Sequence, residues 1–178
     1  MDLIDLMREK SFLGQEFLTW LWYQSEINSG LIEVDEFGPV EVWIEDRLVL
    51  ETGTSGLRET VICQGRNLDL AEARTALREG KKVTQAKLRL KSQDYEWRLT
   101  IKAESLEMTG VRAPKTLDPE AEEAGSEAGR MLDRLAVIRQ LIRIMNALYA
   151  RFLAGRLTES WDQAELPGIR RWLKSRQE

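Results

Sequence analysis

Lys87, Arg89 and Lys91 alternate with Leu88 and Leu90, and after a turn Arg98 and Lys102 alternate with Trp97, Leu99 and Ile101. Residues two apart on an extended strand point to one side about 7 Å from each other, close to the step between successive phosphates of a nucleic-acid strand. Lys81 and Lys82 lead into this run, and Arg66 stands just ahead of a helical segment whose N-terminus favours anions. From Gly80 to Lys102, seven basic residues meet two acidic ones. The chemistry on offer is phosphate contact, which brings affinity without sequence information. A sheet with one wet face must also show polar residues to water, so a charged track and an ordinary solvated face both fit the alternation.

Other chemistries find less support. The chain has no histidine, which removes the usual base of acyl-transfer triads and thiol proteases. Neither a phosphate-binding GxxxxGK[ST] loop nor a GxGxxG fingerprint occurs, and "GTSG" at Gly53–Gly56 lacks the lysine. The lone Cys63 makes no internal disulfide and, without histidine, no conventional zinc site. Glu33, Asp35, Glu36, Glu45 and Asp46 are numerous enough for a Mg²⁺-dependent nuclease, but they fall at strand ends and turns, where acids are simply soluble. The expectation is therefore a protein with no catalytic residues, no metal and no cofactor. Trp20, Trp22 and Tyr23 have apolar neighbours on every side and read as core, although such rings stack bases in single-strand binders.

Charge is unevenly spread. Residues 1–60 hold 4 Lys/Arg against 13 Asp/Glu, residues 61–115 hold 12 against 7, and residues 116–178 hold 10 of each, within a formal net charge of −4. Such polarity bears on partners and steering. No run approaches the roughly 20 apolar residues of a membrane span, and the acidic start "MDLIDLMREKS" is unlike a signal peptide, so a cytoplasmic protein without membrane association is expected.

The elements that must position the basic residues can be read from periodicity. Phe12–Glu26 forms a helix with apolar residues around much of its circumference. Short β runs follow at Leu31–Val34, Val40–Ile44 and Leu48–Leu50, separated by "DEFGP" and "EDR", as an antiparallel meander, and Leu57–Cys63 adds a strand. Asn67–Gly80 forms a helix capped by Asp69, with Glu72 at the capping-box position, and ended by Gly80; Leu70, Ala73 and Leu77 face inward, while Glu72, Arg74 and Arg78 face outward. The basic hairpin turns near Gln93-Asp94, and a short strand follows around Leu106–Val111. Ala113–Gly129 is acidic and proline-bearing, a linker or a weak helix start at Asp118-Pro119. Arg130–Leu153 forms a long helix with Leu135, Ile138, Leu141, Ile142, Met145, Leu148 and Phe152 on its apolar face. Its arginines, Arg130, Arg134, Arg139, Arg143 and Arg151, offer a second basic surface or solvate a pairing helix. Thr158–Ala164 and Ile169–Arg176 form short helices broken by Leu166-Pro167-Gly168. The fold class is α+β: antiparallel hairpins packed with helices over residues 1–112, a linker at 113–129, and a helical segment for dimerisation or packing over 130–178.

The stretch "NLDLAEARTALREGKKVTQAKLRLKSQDYEWRLTIKAESLEMTGV" resembles the C-terminal half of the recombination-associated protein RdgC family. Gly80, Lys81, Val83, Thr84, Leu88, Leu90, Trp97 and Arg98 carry the likeness: a helix ending in Gly-Lys, a Val-Thr strand, and a Leu-alternating hairpin with a Trp. The resemblance implies a non-enzymatic, nucleoid-associated, homodimeric protein that encircles duplex DNA with little sequence preference and restricts the RecA recombinase. Within it, Arg66, Lys81, Lys82, Lys87, Arg89, Lys91, Arg98 and Lys102 are the expected phosphate contacts. The chain departs from that family in having no counterpart of its N-terminal half, which puts ring closure in question. The rival expectation is a protein-interaction or assembly module, of phage or mobile-element character, whose basic face is ordinary solvation.

Overall fold

A computed structural model describes residues 11–52, 59–65, 70–93, 95–112 and 127–175. Its spine is β2 (Gly38–Glu51), a strand of 14 residues, longer than the two short runs expected there. "EDR" proves to be a bulge instead of a turn: Ile44 lies opposite Leu88 while Leu48 lies opposite Ala86, so Glu45-Asp46-Arg47 is a local excess on β2. Such a bulge bends the strand and re-aims its side chains without ending the pairing. Val42 and Leu48 on either side of it are both fully buried, and Asp46 is thrown into solvent.

β1 (Leu31–Val34) and β3 (Thr60–Gln64) share one edge of β2, each taking part of its length. The other edge pairs with β4 (Lys82–Ser92), which continues to β5 (Tyr95–Lys102) and β6 (Met108–Arg112), all antiparallel. The basic hairpin is thus β4–β5, central to a six-stranded sheet. Alternation holds as read: Ala86, Leu88, Leu90, Trp97, Leu99 and Ile101 are buried, and Lys87, Arg89, Lys91, Arg98, Thr100 and Lys102 lie on the opposite face.

Among the described residues, helices pack over the inner face of the sheet. α1 (Ser11–Ile27) is apolar on several sides and is buried on several sides, with Phe17, Leu18, Trp20, Leu21 and Trp22 at 4% exposure or less. Gly14 is required where α1 meets the end of β5, because a Cβ there would overlap the Ala103 carbonyl oxygen. α2 (Leu70–Arg78) ends as expected, with Gly80 at φ +91°. Asp69, its expected cap, lies outside the described residues.

α3 (Glu127–Arg156) and α4 (Leu166–Lys174) pack into the same core as the sheet through Leu148, Phe152, Ile169 and Trp172. Two expectations for this region are corrected. α3 buries Val137, Leu141, Ile144, Met145, Leu148 and Phe152, whereas Leu135, Ile138 and Ile142 are 51%, 40% and 42% exposed. The helix carries two adjoining apolar stripes, and the N-terminal part of one of them is left uncovered. In the tail, Leu166-Pro167-Gly168 does not break the helix: a π-helical turn, Trp161–Glu165, runs directly into α4, with Pro167 near the junction of the two.

A third correction concerns Arg74, which is 5% exposed instead of facing out. Its guanidinium pairs with Glu26 of α1 and lies 5.0 Å from the centre of the Trp172 ring. The Glu26 carboxylate also accepts the indole N–H groups of Trp22, at 2.6 Å, and Trp172, at 2.7 Å. One partly buried carboxylate, its side chain 16% accessible, therefore ties α1, α2 and α4 together, and its charge is matched in place. Among the described residues, no helix is long and apolar enough to cross a membrane.

Candidate nucleic-acid interface

The outer face of the sheet is built by register. The central row runs across four strands, Trp43 on β2, Arg89 on β4, Arg98 on β5 and Arg112 on β6, each the direct partner of the next. Neighbouring strands are about 5 Å apart, so three arginines stand in line over roughly 10 Å. Gly110, at φ +59°, absorbs the irregularity in β6 that brings Arg112 opposite Arg98. Trp43 closes the row at the β2 edge, its ring against Gly30, whose φ is +84° and where a Cβ would overlap the indole. On β4, Lys87, Arg89 and Lys91 run along this face as the alternation predicts, and Lys82 lies at its far end opposite Glu51.

The face is not purely basic. Lys87 Nζ lies 2.8 Å from Asp46 and 3.6 Å from Glu45; Lys91 Nζ lies 3.1 Å from Glu41; Lys102 Nζ lies 2.8 Å from Glu107. Arg98 is held by Glu45 and by Glu96, each at 3.2 Å. Glu45 is the least exposed of these acids, its side chain 17% accessible, and sits between Lys87 and Arg98. The Lys87 ammonium, chiefly through its hydrogen bond, holds the Asp46 carboxyl below its ordinary value; the same bond holds Lys87 above its own. Lys82, Arg89 and Arg112 have no carboxylate within 4.0 Å among the described residues, although Arg112 is near enough to help depress Asp46.

Two expected contacts stand elsewhere. Lys81 is buried at 7% exposure, its ammonium between Glu59 at 3.2 Å and Glu79 at 3.5 Å, and the Glu59 hydrogen bond raises its pKa. Arg66 lies outside the described residues. The structure thus places Lys82, Lys87, Arg89, Lys91, Arg98 and Lys102 on one face and sets Lys81 apart. Sequence reasoning missed Arg112, one residue past the strand expected at Leu106–Val111, and it missed the acids of the β2 bulge, which "EDR" concealed as a turn.

Trp20, Trp22 and Tyr23 belong to the core, as read: Trp20 lies 5.8 Å from Phe152 and Trp22 packs edge-on against Trp172 at 4.9 Å. Among the described residues, no three His, Cys, Asp or Glu side chains stand together as a metal ligand set. No protein-family model and no curated protein matches the chain.

Proposed function

We propose that this protein binds the DNA backbone without reading sequence, through the outer face of its sheet, and performs no chemistry on it. The observation that carries the reading is the cross-strand row Arg89–Arg98–Arg112. Like charges placed directly opposite one another on a sheet are destabilising, and a row of them is understandable when a polyanion supplies the missing charge. Lys82, Lys87, Lys91 and Lys102 extend the surface to either side. The carboxylates of Glu41, Glu45, Asp46 and Glu96 hold several of the cations in place until phosphates exchange for them, so binding is weaker and its salt dependence shallower than the count of basic residues suggests. The likeness of the hairpin to RdgC supports duplex DNA as the ligand, a homodimer as the binding unit, and restriction of recombinase access as its effect in the nucleoid.

The test is duplex binding by fluorescence anisotropy with Arg89→Glu, Arg112→Glu and the double variant. The double variant should bind much more weakly at low salt while keeping its circular dichroism spectrum; unchanged binding would remove the face from the reading.

A second reading, an assembly module, is favoured by a different observation: Met131, Leu132, Leu135, Ile138 and Ile142 form an exposed apolar band on α3. Bands of this kind mark protein-binding surfaces.

A further inference from the structure

Met131, Leu135, Ile138 and Ile142 follow one another at steps of four, three and four residues, and Met145, Tyr149 and Phe152 continue the register. This is the heptad seam of a coiled coil. Its C-terminal half is consumed internally: Phe152 is 1% exposed and Tyr149 packs edge-on against Phe17 at 5.1 Å. Its N-terminal half is open, with Met131 at 64% and Leu132 beside it at 66%. The adjoining stripe, Val137, Leu141 and Ile144, about 100° round the helix, already meets the body. Alongside the open half runs a groove of about 740 Å³ between α3 and the turns at Phe37 and Gln93, lined also by Leu132, Leu135 and Arg139.

We infer that a second copy of this chain covers the open seam, with the two α3 helices antiparallel and crossing between Leu135 and Ile138. This inference rests on the assembly reading, gives the homodimer of the proposed function its interface, and does not require DNA to be bound. In that pairing Met131 faces Ile142 of the other copy and Leu135 faces its Ile138, so one seam is its own complement, as a two-fold interface requires. The five exposed side chains offer on the order of 500 Å² of apolar surface per copy, the size of the largest and often functional patch of a monomer and, with flanking residues, near the roughly 800 Å² per partner of a stable interface. Charge selects the direction. A parallel pair brings Arg134 against Arg139 of the other helix, at the flanking positions where such pairs repel. An antiparallel pair instead lays Leu132 along the aliphatic stem of Arg139, beside the groove that Phe37 walls.

The experiment is sedimentation velocity on the full chain without nucleic acid, beside two variants that each add one cysteine to a Cys63→Ala background. The expected mass is twice the 20.5 kDa of one chain. Ile138→Glu should weaken association roughly 100-fold, with near-ultraviolet circular dichroism unchanged because the side chain is exposed in the single chain. Mixing Leu135→Cys with Ile138→Cys under oxidation should give the mixed disulfide in preference to either homodisulfide. A monomer at about 100 μM, or a dimer indifferent to Ile138→Glu, overturns the inference. Dominance of the Leu135→Cys homodisulfide overturns the antiparallel direction. A monomer that instead takes up an acidic amphipathic helical peptide assigns the seam to another occupant. The Arg89→Glu, Arg112→Glu protein should sediment as wild type, which separates failure of this interface from failure of the DNA-binding face.

Discussion

Arg89 stands directly across the β4–β5 ladder from Arg98, and among the described residues only Arg98 of the two has carboxylates within reach, at 3.2 Å. A residue kept for stability should not be placed there. Arg89→Gln is therefore expected to leave thermal stability unchanged or raise it by about 0.2–0.5 kcal/mol, the scale of a like-charge cross-strand pair. Duplex affinity should fall about 3- to 10-fold at low salt, for the loss of one phosphate contact. Parallel melting and binding curves check this; a loss of stability without a loss of affinity would mark Arg89 as structural.

Glu45 lies between Lys87 and Arg98 and competes with phosphate for both. Glu45→Gln should tighten DNA binding several-fold and steepen the salt dependence by up to about two phosphate equivalents. The cost to stability should stay near or below about 1 kcal/mol, since Lys87 and Arg98 are a third to a half exposed. The same variant weakening DNA binding would mean that Glu45 orders the cations more than it masks them.

Asp46 has its carboxyl pKa lowered from 3.8, first by the hydrogen bond from Lys87. A depressed carboxyl contributes stability that is present above its unfolded pKa and lost as pH falls through the folded one; Lys87, raised from 10.5, contributes below that value and loses its share as pH rises through its higher folded pKa. The pair is intact between these limits. Carboxyl ¹³C titration by NMR should place Asp46 below 3.8 and return it toward that value in Lys87→Met. With no histidine in the chain, duplex affinity at fixed ionic strength should be flat from about pH 6 to 8.

Glu26 is the partly buried anion that Arg74, Trp22 and Trp172 share. Glu26→Ala leaves the Arg74 charge 5% exposed and unmatched, so a loss of about 3–5 kcal/mol is expected, roughly 10 °C in melting temperature for a domain of this size. Glu26→Ala with Arg74→Met should recover a large part of that. Thermal denaturation of the two variants decides it, and additive losses would show that the pair is not coupled.

Where side chains alternate strictly, the fold was legible in the sequence: β1 has the expected bounds, and the inward and outward residues of β4 and β5 are those the pattern assigns. Local rules were overruled where a distant partner changed the balance. "EDR" has turn composition, yet pairing with β4 on one edge and β3 on the other carries β2 through it as a bulge. Arg74 sits at an outward-looking helical position, but Glu26, 48 residues earlier, supplies the charge that lets it be buried. The basic face was visible as a list of cations. Its neutralisation was not, because Glu41, Glu45 and Asp46 come from a strand some 45 residues away. Arg89 and Arg112 stand out only when strand register places them in one row.

The most direct test is a salt titration of duplex affinity by the wild-type protein and the Arg89→Glu, Arg112→Glu double variant. For three to seven phosphate contacts, log affinity should fall linearly with log salt concentration at a slope of about −3 to −6, and the double variant should lose at least about two units of that slope. Absence of duplex binding at about 50 mM salt, or equal slopes for the two proteins, would contradict a DNA-binding role for the sheet face.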